Sequence, residues 1–270
     1  MCNVQPSIMT QYEKASSTVF ESVRKAQSVQ HPQRPYHNVL VFDVETTGLL
    51  PKKVNTAVPV PSDAAMTEDP SFVPHIIQLS YILFNVDGFY IRKKYNAYIK
   101  IDDTIELSEK ITEITGITRN ILQKRGIPIQ EALQDFYQAY WMADCVIAHN
   151  ISFDRKMIEI EMERNMSHLS HLPRINQLFQ AEDDIYCTMK SSINICNIMI
   201  QSKFNENKTY KKMPKLSELY EYLFKEIPEN LHNSLIDTLV CLRCFLKIRL
   251  HRDIHDIKYK HIMRSILMVK

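Results

Sequence analysis

The chain has 270 residues, 45% hydrophobic and 24% charged, with a formal net charge of +2. This is an ordinary globular composition, long enough to bury a core without disulfides or structural metal. The small charge does not announce a nucleic-acid binder, so any anion-binding surface has to come from local clustering. No apolar run approaches the ~18 residues of a membrane span, and the start lacks a basic and then apolar leader. The six cysteines (2, 145, 187, 196, 241 and 244) have no disulfide-framework spacing. Reduced thiols in an intracellular protein is the expectation, with no membrane partner. Cys241-x-x-Cys244 has no second pair to complete a zinc site and lies in an apolar helical pattern, which predicts buried helix cysteines.

Residues 1–36 read as a polar N-terminal extension with an amphipathic helix over about Thr10–Val29, broken by the prolines at 32 and 35. Asn38–Asp43 (NVLVFD) is apolar and β-branched, as suits a central strand covered on both faces. Residues 50–74 hold five prolines and read as a long loop inserted after this strand. His75–Val86 and Phe89–Ile99 are predicted strands, with Asp87-Gly88 as a tight hairpin turn taking positive φ. Leu107–Tyr140 turns helical, punctuated by Gly116 and Gly126-Ile-Pro128. Cys145–Ala148 is a short buried strand, Phe153–Asn165 a helix and Ile185–Thr188 a further strand. Pro214 opens a helix over Leu216–Phe224. An amphipathic helix runs from Ser234 to about Arg249, and a last one from Asp253 to Leu267. Strands in an antiparallel hairpin, followed by helices alternating with strands, imply an α/β domain with a mixed sheet flanked by helices.

Three places put acids where the pattern wants apolar residues. Asp43 and Glu45 end the first strand and, two apart, point to one face. Two carboxylates there repel each other unless a cation lies between them, which favours a metal site over a solvated strand end. Asp154 follows the strand 145–148 and falls where a helix cap or first-turn acid is equally expected. Asp237 lies in the second turn of the helix capped by Asn233 or Ser234, flanked by Leu235, Ile236, Leu239 and Val240. A lone charge so close to a core is costly. His232 stands on the loop before that helix.

The order Asp-x-Glu, Asp, His-x-x-x-x-Asp resembles the DEDDh (DnaQ-like) 3′→5′ exonucleases of the ribonuclease H-like superfamily. The resemblance rests on FDVETTGL (42–49), AHNISFD (148–154) and HNSLIDT (232–238), with IIQLSYI, ITGIT, YCTMK and KMPKLSELY as secondary matches. It implies a ribonuclease H-like mixed sheet in a domain over 37–250, with a basic C-terminal helix or tail at 251–270. It implies also that Asp43, Glu45, Asp154 and Asp237 hold two Mg²⁺ (or Mn²⁺) ions, with His232 as general base. Thr46 and Leu49 are then expected beside the terminal nucleotide, Leu49 as a wedge, and Asn150 and Phe153 near the penultimate one. Core packing is the alternative for Leu49 and Phe153. The expected activity is hydrolysis of single-stranded 3′ ends to nucleoside 5′-monophosphates.

DNA is favoured, since HNSLIDT with KMPKLSELY is similar to exonucleases of large DNA viruses and to cellular proofreading subunits. A polymerase or replication complex is the partner class this adds, in cytoplasm or nucleus. An RNA-trimming, oligoribonuclease-like enzyme shares the same site, and a non-cleaving module that grips nucleic acid or a polymerase is the reading from another class. Five lysines against one glutamate in 203–215, and the basic tail, are candidate phosphate contacts or else solvated surface.

Overall fold

The structure is a computed structural model and describes residues 36–51, 73–180, 185–202 and 205–254. The expected N-terminal helix, most of the proline-rich segment and the last helix beyond Ile254 lie outside those residues. Among the described residues, no helix is long and apolar enough to cross a membrane. The chain divides into two units, one of 37–186 with 230–239, the other of 187–229 with 240 onward and Tyr36.

The first unit is built on a five-stranded sheet of order β3-β2-β1-β4-β5. Its strands are β1 (Asn38–Thr46), β2 (Ile76–Asn85), β3 (Tyr90–Tyr98), β4 (Cys145–Ala148) and β5 (Ile185–Cys187). β1 runs antiparallel to β2 and parallel to β4, and β2 antiparallel to β3, so the sheet is mixed as expected. Val39–Phe42 and Ile76–Phe84 are buried throughout. That explains why Asn38–Asp43 reads as a nearly continuous apolar run, while in edge strand β3 the exposure alternates. Helices α1 (Glu109–Thr115), α2 (Arg119–Arg125) and α3 (Ile129–Tyr140) follow, broken where the glycines predict. Gly116 takes φ +70° as the C-cap of α1. At Gly126 a Cβ would meet the Leu122 carbonyl at 2.2 Å and the Lys100 amide nitrogen at 2.8 Å, so only hydrogen fits between them. α4 (Ile151–Arg164) and the short α5 (Met166–Leu169) complete the helices before β5. Phe136 of α3 packs on Phe42 and Tyr81, centring the core on the face of the sheet opposite Asp43 and Glu45.

The turn between β2 and β3 departs from the two-residue form expected at Asp87-Gly88. It spans 86–89, and the positive φ falls on Phe89. Burial decides this: Phe89 is enclosed and meets Phe84 edge-on, while Asp87 is held by the His37 ring.

The second unit contains α6 (Thr188–Ser191), α7 (Ile193–Cys196), the two-stranded sheet of β6 (Met199–Ser202) and β7 (Asn205–Lys211), and α8 (Leu216–Phe224). α9 (Ser234–Leu250) starts in the first unit and continues in this one. Part of the lysine-rich 203–215, read as a loop, is therefore strand. Its run NENKTYK is too polar to carry a period-2 signal, and cross-strand bonds alone define it. Pro214 precedes the Lys215 cap and lies just outside α8. α9 is not the amphipathic surface helix expected: Thr238–Leu246 is buried on every face, including Cys241 and Cys244.

Arg243, 3% exposed, donates from Nε and Nη2 to the two Asp253 oxygens at 2.9 Å and from Nη1 to Glu226 at 2.8 Å. It bonds the Tyr220 hydroxyl as well and lies 3.8 Å over the Phe224 ring. Arg243→Ala deprives Asp253 of its two guanidinium bonds and is expected to cost about 3 kcal/mol, read as a lower midpoint in urea denaturation.

Candidate active site

The site grows from β1. Asp43 and Glu45 lie on one face of the strand, opposite Ser80 and Gln78 of β2, and the register slips between Glu45 and Thr46. A bulge at this point shifts the pairing by one residue, so that Thr46 pairs with Ile76 and the Thr47 amide bonds the His75 carbonyl. Gln78 and Ser80 interrupt the apolar run IIQLSYILF and are fully buried. Gln78 Nε2 and Ser80 Oγ both donate to Asn96 Oδ1 at 2.9 Å. These polar groups form a strip on which the start of α9 docks. The Ser234 amide donates to Gln78 Oε1 at 3.3 Å and Ser234 Oγ to the Asp43 carbonyl at 2.6 Å. The amide of Leu235 is capped by Asn233 Oδ1, which frees Ser234 for that contact.

Asp237 therefore lies in the first turn of α9, not the second, where the helix dipole favours an anion. Asp43, Glu45 and Asp237 each present a carboxylate oxygen, and these oxygens lie within 4.8 Å of one another. The amide of His232, at φ +67°, donates to Asp237 Oδ2 at 3.0 Å, while the His232 side chain is exposed.

Asp154 is brought to the same strand by α4. Asn150, at φ +67° and exposed, makes the sharp entry into the helix. Asp154 is 3% exposed and accepts from the Val44 amide at 3.2 Å, between Asp43 and Glu45. The capping alternative is thus not its sole use. Burial first, then Asp154, Asp237 and Glu45, holds the Asp43 carboxyl well above its ordinary range. Burial, with Asp237 and Asp154 adding, raises Glu45 to about 8. Asp154 and Asp237 are pushed up to about 7, mainly by burial, against the backbone amides that bind them. Four acids so placed oppose each other's ionisation, which is the electrostatic mark of a cation site.

Of the expected nucleotide contacts, Thr46 is buried with its hydroxyl on the Gly48 carbonyl. Leu49 is 84% exposed, so core packing does not explain it. Phe153 is half-buried.

The residues missed are those that brace this loop. Thr47 and His75 exchange bonds of 2.9 Å, amide to carbonyl and amide to hydroxyl. Arg164 donates to the carbonyls of Pro74 and Val73 at 2.9 and 2.8 Å and to buried Glu161 at 2.8 Å. Glu161 also accepts from the Ile76 amide at 3.3 Å. An i,i+3 Glu–Arg pair on a helix ordinarily reads as solvated surface, so nothing local marked it. Arg164→Ala leaves Glu161 buried without its closest cation, and a loss of about 3 kcal/mol is expected in thermal or urea unfolding. Arg164→Lys recovers less than half of it, because an ammonium cannot reach both carbonyls and the carboxylate at once.

Comparison with known proteins gives a family match and likenesses of fold. Residues 40–245 match the RNase T family, described as exonuclease. Curated relatives include the PolC-type DNA polymerase III of Thermotoga maritima, 28% identical over 143 residues, and that of Bacillus subtilis, 29% over 163. The matches take in 53% and 57% of this chain but 9% and 10% of those proteins, so the chain spans about a tenth of the relatives' length. Among solved structures, E. coli Exonuclease I in complex with a dT13 oligonucleotide superposes with a TM-score of 0.54 at 15% identity, over 86% of this chain and 45% of that one. Cell-death related nuclease 4 gives 0.51 at 15%, over 81% and 66%. Those two likenesses bear on the fold, which is ribonuclease H-like. The family match covers most of the chain, and the protein belongs to the RNase T exonuclease family.

Proposed function

We propose that the protein is a Mg²⁺- or Mn²⁺-dependent exonuclease that removes nucleoside 5′-monophosphates one at a time from single-stranded 3′ ends, DNA being favoured. The observation that carries this is the convergence of Asp43, Glu45 and Asp237 within 4.8 Å, with Asp154 buried beside them. An all-carboxylate donor set fits a hard divalent cation rather than zinc, and the raised carboxyl pKa values fit a cluster that needs one. Asp43, Glu45 and Asp237 would hold one ion, with Asp43 and Asp154 serving a second. Two such ions supply charge stabilisation for the attacking and leaving oxygens of an in-line displacement.

His232 takes a proton from the attacking water as its oxygen bonds to phosphorus and the bond to the 3′ oxygen breaks. Its exposed ring, on a loop tied to Asp237 through the backbone, suits a base that meets solvent-borne water. Leu49 wedges against the terminal base, with Thr46 beside the same nucleotide, and Asn150 and Phe153 flank the next. The exonuclease domain spans 37–250, with 1–36 and 251–270 as appendages. DNA is favoured because the curated relatives are DNA polymerases and the Exonuclease I structure holds a DNA oligonucleotide. A replication complex in an intracellular setting is the partner context this suggests.

The test is digestion of 5′-labelled single-stranded DNA and RNA of matched sequence, with Mg²⁺, with Mn²⁺ and with EDTA. A one-nucleotide ladder shortening from the 3′ end and lost in EDTA is expected, faster on DNA. A faster RNA ladder would transfer the substrate to RNA. No cleavage of either would remove the enzymatic reading.

A further inference from the structure

Apart from the carboxylate cluster, the hairpin of β6 and β7 carries exposed cations and an exposed aromatic ring. We propose that one face of this hairpin is a binding platform for single-stranded nucleic acid, with Tyr210 stacking on a base and Lys208 meeting a phosphate. The identity of the ligand rests on the exonuclease reading above; the placement of the platform does not.

Every described side chain of β7 is exposed, and Tyr210 is half-exposed at 50%. The register pairs Tyr210 with Ile200 and Lys211 with Met199, and the Lys212 amide extends the ladder to the Ile198 carbonyl at 2.8 Å. Lys208, Tyr210 and Lys212 therefore line one face at two-residue steps of roughly 6.8 Å, with Lys211 on the other beside the exposed Met199. Lys212 is committed to Glu218. Lys211 donates to Asn194 Oδ1 at 2.8 Å, an uncharged partner that leaves its charge uncompensated. Among the described residues no carboxylate pairs with Lys208 or Lys211.

An exposed tyrosine between lysines is complementary to a chain of alternating π-faces and negative charges. Neither feature reads sequence, as suits an enzyme that must accept any 3′ end. A lipid surface would answer to the lysines and methionines but has no use for a ring to stack on a base.

The experiment uses the full chain in EDTA, so that no strand is cut, and follows the anisotropy of a labelled oligo-dT of about 20 nucleotides across a salt series. Tyr210→Ala is expected to weaken binding about 5- to 150-fold, the range of one lost base–aromatic stack. Tyr210→Phe keeps the affinity, which separates the ring from the fold. Lys208→Gln makes the log–log salt slope shallower by about 0.7, the share of one phosphate contact. On an abasic strand of the same length, Tyr210→Ala has no effect.

Unchanged affinity and slope in these variants would overturn the proposal. So would an equal loss on the abasic strand, or an equal loss of binding to phosphatidylglycerol vesicles, since each would mean a basic patch without base stacking. Cleavage of a dinucleotide by the unaltered protein with Mn²⁺ reads the carboxylate site separately. Failure there counts against the exonuclease reading, whereas the hairpin is judged on the anisotropy alone.

Discussion

Asp237→Asn is expected to lower the rate of metal-dependent cleavage by about 10³-fold or more, and at the same time to stabilise the metal-free protein. On the proposed reading, the rate loss follows from removing one of three converging carboxylates that would hold a cation, an interaction on the order of 4 kcal/mol at the transition state. The stability gain follows from the sign of the carboxyl shifts. Asp154 and Asp237 rise from 3.8 to about 7, and Glu45 from 4.5 to about 8. A carboxyl whose folded value is raised contributes stability that is complete below its unfolded value. That contribution is lost as pH climbs through the folded one.

The metal-free protein is therefore most stable near pH 4 on this account and loses stability up to about pH 8, within which the cluster ionises against itself. Asparagine removes one of the opposing charges. A gain of roughly 1–2 kcal/mol is expected at pH 8 and almost none at pH 4, measured by urea titration in EDTA at both values. Added Mn²⁺ or Mg²⁺ raises the Tm of the unaltered protein and leaves that of the variant in place. Retained cleavage in the variant, or a stability that grows with pH in EDTA, would remove the metal assignment.

His232→Asn is expected to reduce the rate by about 10²- to 10⁴-fold, the range for a lost general base, while sparing metal binding. The choice of asparagine matters, because residue 232 sits at φ +67°, a conformation that asparagine tolerates better than alanine. The bond to Asp237 comes from the backbone amide of His232, so it survives the substitution. The metal-induced rise in Tm should then match that of the unaltered protein. If the variant keeps its rate across pH 6–8, His232 is not the base. If instead the Tm response to metal is lost, the histidine acts as a ligand or brace.

The elements most legible in the sequence are those whose environment is uniform along their length. β1 and β2 are largely enclosed on both faces, and each reads as a mainly apolar run of the kind a central strand shows. Acids at the end of such a run, or among the apolar residues of α9, are conspicuous, which is why Asp43, Glu45 and Asp237 could be singled out from residue order alone. Less legible was whatever depends on a partner distant in sequence. The lysine-rich β7 owes its extension to bonds with β6, and the positive φ at Phe89 to an enclosed ring rather than to turn propensity. α9 carries polar residues among its apolar ones and so looked amphipathic. In the fold Thr238 bonds the Ser80 and Ser234 carbonyls and Arg243 is enclosed by its carboxylates.

By itself the sequence determined the mixed α/β architecture and the family resemblance, and it singled out four acids and a histidine as candidates, because these are written in local pattern and residue type. Only the tertiary structure decided that Gln78 and Ser234 dock the α9 turn bearing Asp237 onto β1, and that Arg164 and Glu161 clamp the loop beside it. Hydrogen bonds between residues up to 191 positions apart leave no periodic trace in the chain that makes them.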